Sequence, residues 1–299
     1  MNNFSIKDFY QSRIDKLFTD QQFRDQIIAQ TVFPENEIYL SFPEREIFNK
    51  IFSHFLEEAE LSLSLLDDIK FDRESKILEI GGGIGLVYAF LKSNGYKIYG
   101  LEPSEAGFSN YYDTAIHLFR VLEIDSATWY SYLAEESEKI GEEFDIVFSN
   151  NVFEHILNLK LTLDALKRVL KQDGVMVHNT VNYLFPYEPH FKIFLVPFWP
   201  RLTTLFRPDL KKSTLWKGLN FINTFKMSKM CRLSGLDIEY DRNALLNTFK
   251  RLENDGEFAK RQRRFIPVLK FLKYSGLIKT LKYFPACLTT PMRFQLKRK

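Results

Sequence analysis

The chain has 299 residues and a mass of 35.4 kDa, enough for one large domain or two ordinary ones. Hydrophobic residues at 45% and charged residues at 26% exclude wholesale disorder, collagen-like repeats and a small disulfide scaffold. The net charge of +3 hides a break: residues 1–257 carry 29 basic and 38 acidic side chains, whereas residues 258–299 carry 12 basic and no acidic ones.

Two cysteines, Cys231 and Cys287, lack C-x-x-C spacing and a neighbouring Cys/His cluster, so no structural zinc site is read and a reducing cytoplasm is expected. The N-terminus has no basic segment followed by an apolar one, so no cleaved secretion signal is expected. Apolar runs such as 193–199 fall short of the roughly 18–20 residues that a membrane span requires. No repeat of 20–50 residues is visible, which disfavours a solenoid.

Residues 1–70 read as a helical preface, with Phe4, Phe9, Ile14 and Phe18 near helical spacing and a second stretch from Glu44 through Leu66 after Pro43. The period then changes. Lys76–Ile80 is a short apolar strand, Ile84–Ser93 a helix closed by Asn94-Gly95, and Lys97–Leu101 another strand, together a βαβ unit. Phe144–Ser149 reads as a strand. Leu159, Leu163, Leu166 and Leu170 mark a helix stopping at Asp173-Gly174, and Val175–Thr180 is the next strand. Thr224–Leu233 reads as a helix and Leu236–Tyr240 as a strand. Such alternation predicts an open α/β fold with a mostly parallel sheet covered on both faces.

Two segments break the alternation. Residues 183–216 hold nine aromatics and five of the eleven prolines, an insert too long for a plain connection. Residues 242–286 read as a basic helical segment, and 287–299 as a return to the sheet through a final strand at 291–296.

In Ile77-Leu-Glu-Ile-Gly-Gly-Gly-Ile-Gly85 a strand runs into glycines immediately before a helix. Glycine permits the tight turn and lets a ligand approach the backbone, where helix-terminal N–H groups bind polar or anionic atoms. The position suits a ligand, because open α/β sheets bind at the carboxyl ends of their strands. The dinucleotide pattern G-x-G-x-x-G fails in both registers, with Leu86 or Tyr88 where the last glycine belongs.

The stretch resembles the E-x-G-x-G-x-G motif of class I S-adenosylmethionine-dependent methyltransferases, with Glu79, Gly81, Gly83 and Gly85 in the matching positions. Glu102 ends the second strand where that family's acidic residue binds the ribose hydroxyls. Phe144–His155 is similar to its fourth strand and following E-H segment, and 166–177 to its next helix-turn-strand. The resemblance covers about residues 71–241. It implies a Rossmann-like seven-stranded sheet, S-adenosylmethionine as cofactor, and cofactor contacts at Glu79, Gly81, Gly82, Gly83, Gly85, Glu102, Asp125 and Asn150. Each has a plain alternative: Glu79 as a structural carboxylate satisfied by loop N–H groups, Asp125 displaced by a longer connection, Asn150 as a turn residue.

Methyl transfer from a sulfonium is an in-line displacement, so a hydroxyl acceptor needs alignment and a base. His155, next to Glu154 at the active-site edge, and His190 on the insert are the candidate bases. His155 otherwise orients the loop, and His190 otherwise caps a proline turn. Some family members hold a divalent ion with E-x-x-E-H and a distant histidine; Asn151 stands at the first glutamate here, which weakens the case for a metal, although Asn still offers an oxygen and Glu154, His155 and His190 could complete a mixed N/O site. The N-P-P-[F/Y] segment of amino-group methyltransferases is replaced by Ser149-Asn-Asn-Val152, which disfavours base methylation.

The resemblance therefore points to O-methylation of a small-molecule, sugar/glycan or lipid-linked acceptor. Tyr183, Phe185, Tyr187, Phe191, Phe194, Phe198 and Trp199 either line a lid over it or pack the insert on the preface. The alternative function rests on the basic tail. Lys260, Arg261, Arg263, Arg264, Lys270 and Lys273 alternate with Phe265, Phe271 and Tyr274, a pattern for nucleic acid or for the inner face of an anionic membrane; nucleic acid is the weaker of the two.

Overall fold

The computed structural model describes residues 5–30, 42–104, 109–254, 256–261 and 263–299. Phe4 of the predicted preface stripe, and the side chains of Arg261 and Arg264 in the tail, lie outside the described residues.

Four helices open the chain: α1 (Ile6–Gln11), α2 (Ile14–Thr19), α3 (Gln21–Ala29) and α4 (Glu44–Ser64). Asp20 caps α3 by accepting the Phe23 N–H at 2.8 Å, which satisfies one of the free donors at the helix start. β1 (Lys76–Ile80), α5 (Leu86–Ser93), β2 (Lys97–Leu101), α6 (Ser109–Leu122), β3 (Trp129–Tyr130), β4 (Phe144–Asn150), α7 (Leu159–Val169) and β5 (Leu170–Thr180) follow. The remainder holds β6 (Tyr187–Glu188), β7 (Ile193–Phe194), α8 (Thr214–Gly218), α9 (Thr224–Leu233), β8 (Leu236–Tyr240), α10 (Ala244–Asn254), α11 (Gly256–Arg261), α12 (Ile266–Tyr274) and β9 (Met292–Arg298).

Seven strands form one sheet in the order β3-β2-β1-β4-β5-β9-β8, the seven-stranded Rossmann-like sheet that the resemblance implies. β1 pairs in parallel with β2 and β4, and β2 with β3. β6 and β7 form a separate antiparallel hairpin in the insert.

The chain divides into two compact units. Residues 1–150 with 161–177 form the first, and residues 151–160 with 178–297 the second. In the first unit the preface shares a core with the sheet: Tyr10, Phe23, Phe48 and Phe52 are buried in the same cluster as Ile77, Leu91 and Ile146. Phe48 and Phe52 stack with centroids 5.5 Å apart, and burying each such ring contributes about 1.5–3 kcal/mol. In the second unit α9 is capped by Asn223, whose side chain accepts the Lys226 N–H at 2.9 Å. The basic tail buries Leu252 on α10 and Leu269 on α12 and leaves Phe271 and Tyr274 exposed.

Two differences from the sequence expectations stand out. β5 begins at Leu170, directly after α7, so Asp173-Gly174 lies inside a strand instead of ending the helix. β3, two residues long, has no counterpart among the expected strands. Among the described residues no helix is long and apolar enough to cross a membrane.

Candidate active site

In the first unit, β1 is buried from Ile77 onward and its carboxyl end turns into α5 through Gly81–Gly85. The parallel register sets Ile80 beside Leu101, so Glu102 follows directly beside the glycine turn. The Gly81 and Gly82 N–H groups donate to the Leu101 carbonyl at 2.8 and 3.1 Å, and the Gly83 N–H donates to Glu102 Oε2 at 2.7 Å. Gly83 has φ +57°, and no described heavy atom lies within 4 Å of a Cβ built there.

Glu79 and Glu102 are both buried. Burial pushes the Glu79 carboxyl up to about 8, with the Glu102 charge adding to it, and burial pushes Glu102 to about 8 against the opposing Gly83 hydrogen bond. Among the described residues Glu79 Oε2 has no hydrogen-bond partner. A buried acceptor without a donor fits a ligand that brings donors of its own, and Gly83, open on its Cβ side, lies in the same turn. S-adenosylmethionine has such donors in its ribose hydroxyls and amino group, so the residues fit the cofactor that the motif implies.

The other motif residues divide. A Cβ on Gly82 would meet Trp129 Cη2 at 2.5 Å, and one on Gly85 would meet Phe119 Cζ at 2.5 Å. Aromatic side chains therefore leave no room for a Cβ at either position, and one on Gly82 would also come within 3.1 Å of Glu79 Oε2. Asp125 precedes β3 and so lies at that strand's amino end, where Lys92 pairs with it at 3.3 Å and its side chain accepts the Ala127 N–H at 3.0 Å. That is the end opposite the carboxyl edge that carries the glycine turn, so the geometry does not bring Asp125 to the turn. At the carboxyl end of β3 stand Tyr130, Ser131 and Tyr132 instead. Ser131 Oγ donates to Ser104 Oγ at 2.8 Å, two residues past Glu102, and Tyr130 stacks on Tyr132 at 5.5 Å. A two-residue strand gives too little periodicity for sequence reading to have found them. Asn150 closes β4, with its Nδ2 3.4 Å from Glu58 Oε2.

In the second unit Glu154, His155 and His190 come together, their nearest ligand atoms within 4.8 Å of one another. Their elements explain it: a short 3-10 turn at Phe153–His155 follows the left-handed Asn151 (φ 55°), and His190 leaves the β6–β7 hairpin. Glu154 is fully buried. Thr180 Oγ1 donates to its Oε2, its Oε1 has no hydrogen-bond partner among the described residues, and burial raises its carboxyl above the usual range. Burial, with the His190 charge adding to it, lowers His155 to about 4, so it stays neutral at neutral pH. The two imidazole centroids are 5.6 Å apart.

Sequence reading missed Glu188. It is fully buried on β6, its Oε1 lies 2.6 Å from His190 Nδ1 and accepts from the Tyr183 hydroxyl at 3.2 Å, and its Oε2 accepts the Phe191 N–H at 2.7 Å. Its position two residues before His190, across Pro189, was the available signal. The aromatic insert is split: Tyr183 and Tyr187 are buried, whereas Phe194, Phe198 and Trp199 are exposed.

A family model described as a methyltransferase domain matches residues 52–240, more than half of the chain. The chain belongs to the methyltransferase domain family. The match covers the glycine turn, Glu102, the Glu154-His155 turn and His190. This methyltransferase chain is 31% identical over 203 residues to an uncharacterized protein of Mycobacterium tuberculosis, covering 64% of the chain and 67% of that protein. It is 31% identical over 123 residues to the ubiquinone biosynthesis O-methyltransferase of Nitrobacter winogradskyi, covering 38% of the chain and 44% of that enzyme. Among solved structures, geranyl diphosphate C-methyltransferase from Streptomyces coelicolor A3(2), in complex with Mg2+, geranyl diphosphate and S-adenosyl-L-homocysteine, matches with a TM-score of 0.51 at 13% identity over 98% of this chain and 97% of that one. The chain spans 60% and 61% of the length of two other solved methyltransferase chains.

Proposed function

We propose that this methyltransferase uses S-adenosylmethionine to methylate an acceptor hydroxyl on a small-molecule, sugar/glycan or lipid-linked compound. When bound, the cofactor supplies a methyl group that a nucleophile displaces from sulfur. Glu102, oriented by the Gly83 N–H, is the residue that would accept from the ribose diol, because a carboxylate offers an oxygen to each hydroxyl. Glu79, with its unpartnered buried oxygen, would accept from a second donor of the same ligand.

The observation that carries the hydroxyl reading is the buried Glu188 carboxylate on His190 Nδ1. That contact favours the tautomer with the proton on Nδ1, which makes Nε2 the basic nitrogen, and it stabilises the imidazolium formed when Nε2 takes the acceptor's proton. Tyr183, whose phenol burial keeps protonated, donates to the same carboxylate and holds it in place. His155, neutral beside His190, is a weaker base, and its ring packs against that of His190. Glu154 anchors the turn: its carbonyl accepts the Asn220 N–H at 2.9 Å and its carboxyl binds Thr180. The relatives named as ubiquinone biosynthesis O-methyltransferases support a hydroxyl acceptor over the part of the chain they match.

Glu154, His155 and His190 also have the composition of a divalent-cation site. Glu188 already engages His190 Nδ1 and Thr180 already engages Glu154 Oε2, so the base reading is preferred. Assays of S-adenosylhomocysteine formation with phenolic, sugar and prenylated hydroxyl acceptors test the proposal. Activity that needs a hydroxyl and falls in His190→Ala supports it; transfer to amines with no dependence on His190 overturns it.

A further inference from the structure

Within the nine residues 198–206 of the second unit, Phe198, Trp199, Leu202, Leu205 and Phe206 all stand in solvent, Trp199 at 65% and Phe206 at 76% relative exposure. Scattered exposed apolar residues are ordinary, but five in one short stretch are not. The stretch is held from beneath. Leu195, Thr203, Leu210 and Trp216 are buried, Thr203 Oγ1 accepts the Val196 N–H at 3.0 Å, and Ser213 caps α8 by accepting the Trp216 N–H at 3.2 Å. A built platform therefore presents the apolar side chains outward.

The charge around them is one-sided. Residues 191–220 contain Lys192, Arg201, Arg207, Lys211, Lys212 and Lys217 against a single acid, Asp209, which Arg207 already binds at 2.7 Å. Aromatic and aliphatic side chains interleaved with cations suit the boundary between acyl chains and headgroups, where rings sit at the interface and each cation gains from anionic lipid. A bilayer also needs no shape-matched groove.

We propose that residues 198–206 dock the protein onto an anionic phospholipid bilayer, with Trp199, Leu205 and Phe206 entering the acyl boundary and Lys211 and Lys212 facing lipid phosphates. The sequence alternative places a membrane contact on the basic tail, whereas the contact proposed here lies on the insert. This inference does not depend on the acceptor or on methyl transfer.

The test uses the full chain with vesicles of phosphatidylcholine, with and without phosphatidylglycerol. Of the three tryptophans, Trp129 and Trp216 are buried at 4% and 3% relative exposure, so a shift of emission to shorter wavelength on vesicle addition reports Trp199. The expected result is that shift, together with co-sedimentation, on vesicles containing phosphatidylglycerol. The shift is lost in Trp199→Phe, and partitioning falls about tenfold or more in Leu205→Gln and in Phe206→Gln. These side chains are exposed, so thermal melting should match the parent. Absence of sedimentation on the anionic vesicles, unmoved emission, or undiminished partitioning of the Gln variants would each overturn the proposal. So would a dimer that dissociates in the Gln variants while vesicles bind nothing, which would make the patch a self-association surface.

Discussion

Gly83 donates its backbone N–H to Glu102 Oε2 at 2.7 Å, tying the glycine turn after β1 to the residue that ends β2. The bond uses one carboxylate oxygen and holds the other in a fixed direction, so the diol-binding group is set before any ligand arrives. Glu102→Ala should lower S-adenosylmethionine affinity by roughly tenfold or more, the scale of losing hydrogen bonds to a charged group. Glu102→Gln, which keeps the shape but can accept at only one atom, should fall between, as measured by calorimetry.

Cofactor binding should depend on pH. Both buried carboxyls lie near 8 in the ligand-free protein, and accepting donors favours their ionised forms. Binding at pH 7 should release protons, seen as a buffer-dependent enthalpy, and affinity should rise from pH 6 to 8. Linkage gives the ligand-free stability the opposite trend. The folded state binds more protons than the unfolded chain between about 4.5 and 8, so that contribution is present below the unfolded value and is lost as pH rises through 8. Denaturant melts at pH 5 and pH 8.5 check this, and Glu102→Gln should flatten the difference.

The turn glycines should separate by mechanism. Gly82→Ala drives a methyl into Trp129 and should destabilise the ligand-free protein by about 1–3 kcal/mol through overpacking. Gly83→Ala meets no described atom within 4 Å and costs mainly its left-handed backbone, about 1–2 kcal/mol, but its methyl occupies the side on which the ligand is proposed to sit. Melting temperatures with and without cofactor distinguish them: Gly82→Ala should keep the ligand-induced increase, and Gly83→Ala should lose most of it.

These positions also show what the sequence makes legible. The glycine run, Glu79 and Glu102 are readable because a βαβ unit has a short local period and its binding edge follows from chain order. Apart from β3, the sheet strands are legible as well, down to the last one near the chain end. Trp129 is not: its contacts with Gly82 and Gly100 join residues 47 and 29 positions apart, and its strand is too short for a pattern. Asp125 illustrates the cost of a family spacing applied across a longer connection. Glu188 was hidden by its neighbours, since an acid between two prolines in an aromatic insert reads as loop until burial shows it supporting His190.

His190→Ala should reduce kcat by about 10²–10⁴-fold, the usual contribution of a general base, with S-adenosylmethionine affinity retained because His190 is not among the residues proposed to hold the cofactor. Glu188→Gln should lower kcat less and move the acid limb of the pH–rate profile to lower pH, since the imidazolium loses its anionic partner; a purely structural role would leave the limb in place. His155→Gln should have the smaller effect on rate, because His155 is already held neutral. Treatment with EDTA should leave turnover unchanged, and loss of activity restored by magnesium or manganese would instead assign Glu154, His155 and His190 to a cation.

The most direct measurement is calorimetric titration of the full chain with S-adenosylmethionine and S-adenosylhomocysteine, in parallel with Glu102→Ala. Micromolar binding of both by the parent protein, weakened in the variant, is the expected result. No binding of either ligand by the parent, or equal binding by Glu102→Ala, would contradict a cofactor site at the Glu79, Gly83 and Glu102 turn.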